Sequence, residues 1–419
     1  MILTPRNNFI VFIFLFGGLN SAAAQLDNYI FKRQSDASYL KSQYDFGPID
    51  TVVIDTVVAE YDSLYNQKLN NSKSQNQEIR INRSGFSFGN LMYSKNNEYG
   101  ENNNPGQTFF GNQLWFGGKV YFTQNLSGSL GLFLQYDFGD NKFPSKTLPI
   151  FNIEYKTKNS QLIAGTILGN SNHYLIEPVY NYENVFTKPL EYGLQYYTKN
   201  KLFNYQTWVD WRQFAKIATS QQEIISFGQT INIHLIDSSK YPLAISLPSS
   251  LLVYHQGGEA LNIPQRIQTT MNATFGIRLS DKSKHFKAES FYLISNDPSP
   301  TLSHAFKNGQ GSMTNLTYFF SQKDLSQHRI VATYYKAVEF YSPLGAPLFT
   351  SELQGKPYLQ ARNREFVMLR YQYENMIQLP NLSNLTLDIR IEPIYHLKDK
   401  LFAFSTGVYL KYTIGNNIN

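Results

Sequence analysis

Apolar and polar side chains alternate with a period of two along most of this chain. From Gly128 to Phe138, Leu130, Leu132, Leu134, Tyr136 and Phe138 share one face, and Ser129, Gly131, Gln135 and Asp137 share the other. From Leu385 to Glu392, Leu385, Leu387, Ile389 and Ile391 alternate with Thr386, Asp388, Arg390 and Glu392. The same pattern runs through Ile267–Leu279, Phe402–Ile414 and Phe203–Trp211. Successive side chains of a strand point to opposite sides, so this period predicts strands with one apolar and one polar face.

Sixteen such strands are predicted, near 84–93, 109–122, 127–138, 148–157, 160–168, 190–198, 202–213, 223–234, 242–255, 265–279, 284–295, 310–321, 327–341, 363–377, 382–395 and 399–414. Most are longer than the roughly five or six residues of a soluble strand. They match the roughly nine to eleven residues that a tilted strand needs to cross a bilayer. Aromatic residues sit near strand ends, as at Tyr155, Tyr192, Trp211, Tyr373 and Tyr412, where interfacial girdles form. Short polar turns after even-numbered strands alternate with longer loops after odd-numbered ones, such as 94–108, 139–147, 169–189, 296–309 and 342–362. The chain is therefore expected to be all-β: a transmembrane antiparallel up-and-down β-barrel of about 16 strands over 81–415, with a short C-terminal tail at 416–419.

The N-terminus reads as a targeting segment. Arg6 precedes an apolar run from Phe9 to Leu19, and Ala22-Ala23-Ala24 supplies small residues for cleavage, so residues 1–24 are expected to be a signal peptide. Beyond residue 24 no apolar run approaches the roughly eighteen residues of a transmembrane helix. Residues 25–80 are polar and read as a periplasmic extension. Within it, Asp50–Ala59 resembles the short box that energy-coupled receptors present to an inner-membrane coupling protein. Such receptors need a plug domain and about 22 strands, for which this chain has no room.

Composition supports a wall that is half lipid-facing and half wet. Aromatic residues make up 15% and charged residues only 16%, with 30 Tyr and 31 Phe, and the mean hydropathy is −0.35. Soluble domains carry roughly a quarter charged residues. The chain has no cysteine, which excludes thiol catalysis and disulfides. Its net charge of +6 comes without a basic run interleaved with aromatics, so no nucleic-acid partner is expected.

Sixteen strands enclose a lumen wide enough for water. Lys119, Asp137, Glu154, Asp210, Arg212, Arg278, Lys287, Glu289, Arg370, Glu374, Asp388, Arg390 and Glu392 are expected on its wall. There they tune solute passage or pair across neighbouring strands and stiffen the wall. Loop 139–147 looks too short to fold into the lumen, whereas 169–189 and 342–362 carry Pro and aromatics and are candidates to constrict it.

Reaction chemistry is sparse in the sequence. The seven histidines, His173, His234, His255, His285, His304, His328 and His396, form no tight metal spacing, and no nucleophile elbow or phosphate loop occurs. His255-Gln256-Gly257-Gly258-Glu259 is expected in a loop bend, and His173 in a long exposed loop. No cofactor, no metal and no enzymatic activity are expected. A serine–histidine pair on the outer wall, as in outer-membrane phospholipases, would be invisible in sequence.

The signal segment, the girdle aromatics, and segments such as Tyr182-Glu183-Asn184-Val185-Phe186 with Leu190-Glu191-Tyr192-Gly193 resemble outer-membrane porin-like barrels of Bacteroidota. The resemblance is one of architecture. It implies a Gram-negative outer-membrane location in contact with lipid, passive transport of small hydrophilic solutes, and assembly as a homotrimer. One departure is that the chain runs past Tyr412 and Ile414 to Asn419, where many barrels end on an aromatic residue. The alternatives are a structural or assembly barrel for surface glycan or secretion, and a barrel enzyme.

Overall fold

In the computed structural model the sixteen predicted strands form one closed antiparallel barrel. The structure describes residues 84–99, 106–157, 159–167, 173–216, 221–236, 241–257, 267–281, 285–299, 302–323, 326–353, 356–379 and 382–418. The signal segment, the extension and the 50–59 box lie outside the described residues.

The first eight wall strands are β1 (Ser84–Glu98), β2 (Gln107–Tyr121), β3 (Leu126–Asp137), β4 (Lys146–Lys156), β5 (Ser160–Ile167), β6 (Glu191–Lys199), β7 (Phe203–Gln213) and β8 (Glu223–Ile236). Then come β9 (Leu243–Gly257), β10 (Gln268–Asp281), β11 (Phe286–Asn296), β12 (Asn308–Lys323) and β13 (Ser326–Val338). A small hairpin, β14 (Glu352–Leu353) and β15 (Lys356–Gln360), sits in the next loop. The wall resumes with β16 (Asn363–Leu379), β17 (Leu382–His396) and β18 (Leu401–Ile418). Each wall strand pairs with its neighbour, and β1 closes on β18 from Ser84↔Ile418 to Glu98↔Phe404. Closure leaves no free edge, as a bilayer requires.

Several boundaries differ from expectation, and two of them matter here. Residues 416–418 extend β18 rather than forming a tail, because Ser84, Gly85 and Phe86 are there to pair with them. β9 continues through Gly257, so His255 stands in a strand opposite Thr269 and not in a loop.

The alternation resolves as predicted. On β11, Lys287, Glu289, Phe291, Leu293 and Ser295 are buried, while Tyr292 and Ile294 face outward. Leu130, Leu194 and Phe275 form part of the exposed apolar outer face. Turns after even-numbered strands up to β12 are short, and the longer loops gather at the other end.

Candidate functional site

Much of the lumen of this barrel is filled, with a pocket left beside Ile176, Asn204, Gln206, Thr230 and Pro248. Sixteen strands would leave a channel if their inner faces were wet. Here most inward side chains are buried, down to the Lys119–Glu154 pair near the short-turn end (2.7 Å). Two loops account for much of the filling. The β5–β6 loop turns inward near Tyr174 (φ 56°), and the β13–β14 loop turns inward at Glu339 (φ 55°). Leu175, Ile176, Val179, Tyr182 and Phe186 of the first join Phe340, Leu344, Leu348 and Phe349 of the second in one core with Tyr93, Trp115, Tyr335 and Phe366 of the wall. Both loops had been singled out in the sequence as candidates to constrict the lumen.

The packing is specific. The first loop carries a short helix, α1 (Asn184–Thr187). Gln113 and Gln135 donate to its Val185 and Phe186 carbonyls at 2.8 and 2.7 Å, and Lys146 donates to Phe186 and Thr187. These bonds satisfy the carbonyls that a helix leaves open at its C-terminus. Phe186 stacks on Tyr93 with ring centres 4.4 Å apart. The loops also hold each other: Asn181 N donates to Leu344 O, Ala346 N to Glu177 O, and Ser342 Oγ to Val179 O.

The thirteen predicted lumen charges all stand on the inward side, and the structure shows what most of them meet. Arg278 bonds its cross-strand neighbour Glu289 at 2.6 Å, with Lys287 3.3 Å from Glu289. Lys188 and Arg212 flank Asp210. Asp137 accepts from Tyr93 OH at 2.7 Å. Arg390 lies 3.5 Å from Asp388 and over the Tyr182 ring, and Glu374 stands opposite Asp388 in the ladder. Arg370 bonds Glu392, which also takes Lys95 at 2.7 Å. Glu177 of the first loop inserts into this group and accepts from Arg370. Lys95, Glu177 and Glu183 were missed in the sequence, because two of them sit on a loop whose inward course no local pattern reveals.

Two histidine–carboxylate pairs emerge. His173 is buried rather than exposed: its Nε2 lies 2.6 Å from Glu191, its Nδ1 2.7 Å from Gln206, and its ring stacks on Trp208 at 3.7 Å. Both ring nitrogens are engaged, so this pair is structural. His304, in the β11–β12 loop, differs. Its Nε2 lies 2.7 Å from Asp297 Oδ2, and its buried Nδ1 has no hydrogen-bond partner among the described residues. A carboxylate only accepts, so Nε2 carries the proton and Nδ1 is left a free acceptor.

Asp297 is held in turn by Ser299 N (2.8 Å) and Thr270 Oγ1 (3.3 Å), and His304 stacks on Tyr341 of the inward loop at 4.0 Å. Burial pushes the Asp297 carboxyl up, but the bonds from Ser299 and His304 outweigh it and hold it below the usual carboxylate range. Burial raises the nearby Glu352 carboxyl, against the Ala305 N–H that donates to it at 2.7 Å. A histidine oriented by a carboxylate, with its second nitrogen unpaired, is the arrangement of a general base. The sequence offered no signal for it beyond the residue types, because Asp297 and His304 match no spaced motif.

Among solved structures, the barrel resembles the outer-membrane protein OprD of Pseudomonas aeruginosa at 7% identity, covering 82% of this chain and 97% of that one with a TM-score of 0.51. OccAB3 of Acinetobacter baumannii matches at 11% identity over 79% and 99% of the two chains, with a TM-score of 0.44. At such identities the likeness speaks to the fold alone, which is that of an outer-membrane barrel. No curated protein matches the chain. A family model described as lipid A 3'-O-deacylase-type matches residues 69–418. That match overturns the expectation of a non-enzymatic barrel, because the family is named for ester hydrolysis. The sequence had offered no elbow or metal spacing to betray a hydrolase; its chain belongs to the lipid A 3'-O-deacylase-type family.

Proposed function

We propose that this protein is an outer-membrane acyl-ester hydrolase of the lipid A deacylase type, with His304 as its general base. The observation that carries the reading is the free, buried Nδ1 of His304 beside an Nε2 fixed on Asp297, in a chain whose family is a deacylase family. In this mechanism Nδ1 takes a proton from water as the water oxygen attacks the ester carbonyl. Asp297 stabilises the imidazolium that forms. The tetrahedral intermediate then collapses, His304 returns the proton to the departing sugar oxygen, and a free fatty acid is released. The site lies at the long-loop end of the barrel, which in outer-membrane barrels is the extracellular end. The acyl esters of outer-leaflet lipid lie at that surface.

The test is fatty-acid release from lipid A in detergent, read by mass spectrometry. His304→Gln keeps an N–H donor within reach of Asp297 but removes the base, and is expected to lower the rate by about a hundredfold or more. Wild-type activity in that variant would remove His304 from the mechanism.

A second reading is a solute channel, favoured by the polar inner face and by the OprD-like fold. It requires the two inward loops to leave the lumen. Small hydrophilic solutes and a trimeric assembly belong to this reading.

A further inference from the structure

The lipid-facing wall carries a recess among the described residues. A trough of about 410 Å³ crosses β12, β13, β16, β17 and β18. Its cause is visible in the residues. Ala332 stands between Leu316 and Leu369 in register, so a methyl group faces outward where both neighbours present long side chains. On β17 the neighbouring position is Pro393, which has no N–H to give to a ladder. Pairing with β16 lapses there: Met368 pairs with Ile394 and Tyr371 with Ile391, with no partner for Pro393 between them. A small side chain and a gap in the ladder thus lie side by side.

The trough has one apolar end and one polar end. Tyr395 and Phe402 form its flank, 40% and 63% exposed. Toward the long loops, Tyr334 OH donates to Glu365 at 2.6 Å. Lys336, two residues farther along the same outward face of β13, holds its Nζ 3.5 Å from Glu365 with 56% of its side chain exposed. The apolar part therefore lies within the span, and an exposed ammonium stands above it toward the extracellular end.

We propose that this trough binds one acyl chain of an outer-leaflet lipid, with the lipid's anionic headgroup on Lys336. The volume lies in the range of roughly 300–1,000 Å³ typical of small-molecule sites. The wall faces lipid, so a lipid is the occupant at hand, and the cation at the outer end selects a negative headgroup. Leu194 on β6 lies across the barrel on the same outward face, 57% exposed, and serves as the control position. The proposal concerns binding and stands independently of His304.

The test is native mass spectrometry of the folded barrel after reconstitution into vesicles of dimyristoyl phosphatidylglycerol or dimyristoyl phosphatidylcholine. One lipid per chain is expected to survive release from detergent. Phosphatidylglycerol should be favoured by about fivefold, the equivalent of the roughly 1 kcal/mol that a lysine near the surface contributes towards anionic lipid. Ala332→Trp should fill the trough and abolish retention, and Leu194→Trp should not. Lys336→Gln should keep the retained lipid but lose the headgroup preference. Should Ala332→Trp fail to fold, Ala332→Leu supplies the same reading with a side chain common on this wall. Equal retention in wild type and the Ala332 variants would overturn the proposal, since the lipid would then be ordinary boundary lipid.

Discussion

Arg370 Nη2 donates to both carboxylate oxygens of Glu177, at 3.0 and 3.1 Å, although the two residues lie 193 positions apart. Glu177 rides on a loop and Arg370 on the wall. The bond therefore ties the loop to the barrel in the middle of a buried group that includes Glu392 and Lys95. Such a group is asymmetric under mutation. Deleting one partner strands a charge without water, whereas replacing charges by apolar groups of similar shape can be neutral.

The first prediction follows from that asymmetry. Arg370→Met leaves Glu177 buried without its cation and is expected to destabilise the barrel by about 3–5 kcal/mol. Glu177→Gln leaves Arg370 bonded to Glu392 and should cost less. The unfolding midpoint in urea, followed by loss of the heat-modifiable folded band, measures both. Equal costs would show that Glu177 is not held by Arg370.

Loop interlock gives a second prediction. Gly345 lies against the Pro178 carbonyl so closely that a Cβ has no room there. Gly345→Ala should push the two inward loops apart without altering any charge. Protease cleavage within 173–190 or 340–351 should become faster while the wall stays intact. Unchanged cleavage would mean that the loops do not depend on each other.

Asp297 yields a pH dependence. Its folded carboxyl is held below the ordinary range, so the dyad contributes stability above the unfolded carboxylate pKa. That contribution is lost as pH falls through the depressed folded value. Acid should therefore loosen the β11–β12 loop, and Asp297→Asn should remove the acid-dependent part of the change. Hydrogen exchange over 302–307 across an acid series reads this directly. A variant with the wild-type acid response would place the titrating group elsewhere.

The facing of the wall is tested by arginine. Leu132 and Ile389 both stand on the outward side of their strands. Arginine at either is expected to cost about 2–4 kcal/mol near mid-membrane. Folding free energy in vesicles checks this, and tolerance of both would mean an inverted register.

The wall was legible because one face of each strand meets lipid, and a period of two survives in sequence wherever one face is apolar. Leu385–Glu392 shows it cleanly: Asp388, Arg390 and Glu392 are buried, while Ile391 faces outward. What these charges do was not legible. Whether Arg370 lines water or meets Glu177 depends on a loop contact 193 residues away, and no local pattern carries it. His304 escaped for the same reason. Its role rests on which nitrogen is occupied and which is free, a matter of three-dimensional placement. The Pro and aromatics of the two loops did signal that they turn inward, since Phe186 and Phe349 need apolar partners and find them in Tyr93, Tyr335 and Phe366.

The most direct test of the account combines two readings on one refolded preparation in a bilayer containing lipid A: release of fatty acid and single-channel current. A closed barrel of the deacylase type predicts fatty acid released from the glycolipid, with no discrete current steps while the Glu177–Arg370 bond is intact. Stable open steps from wild-type protein that releases no fatty acid would contradict it and establish the channel reading instead.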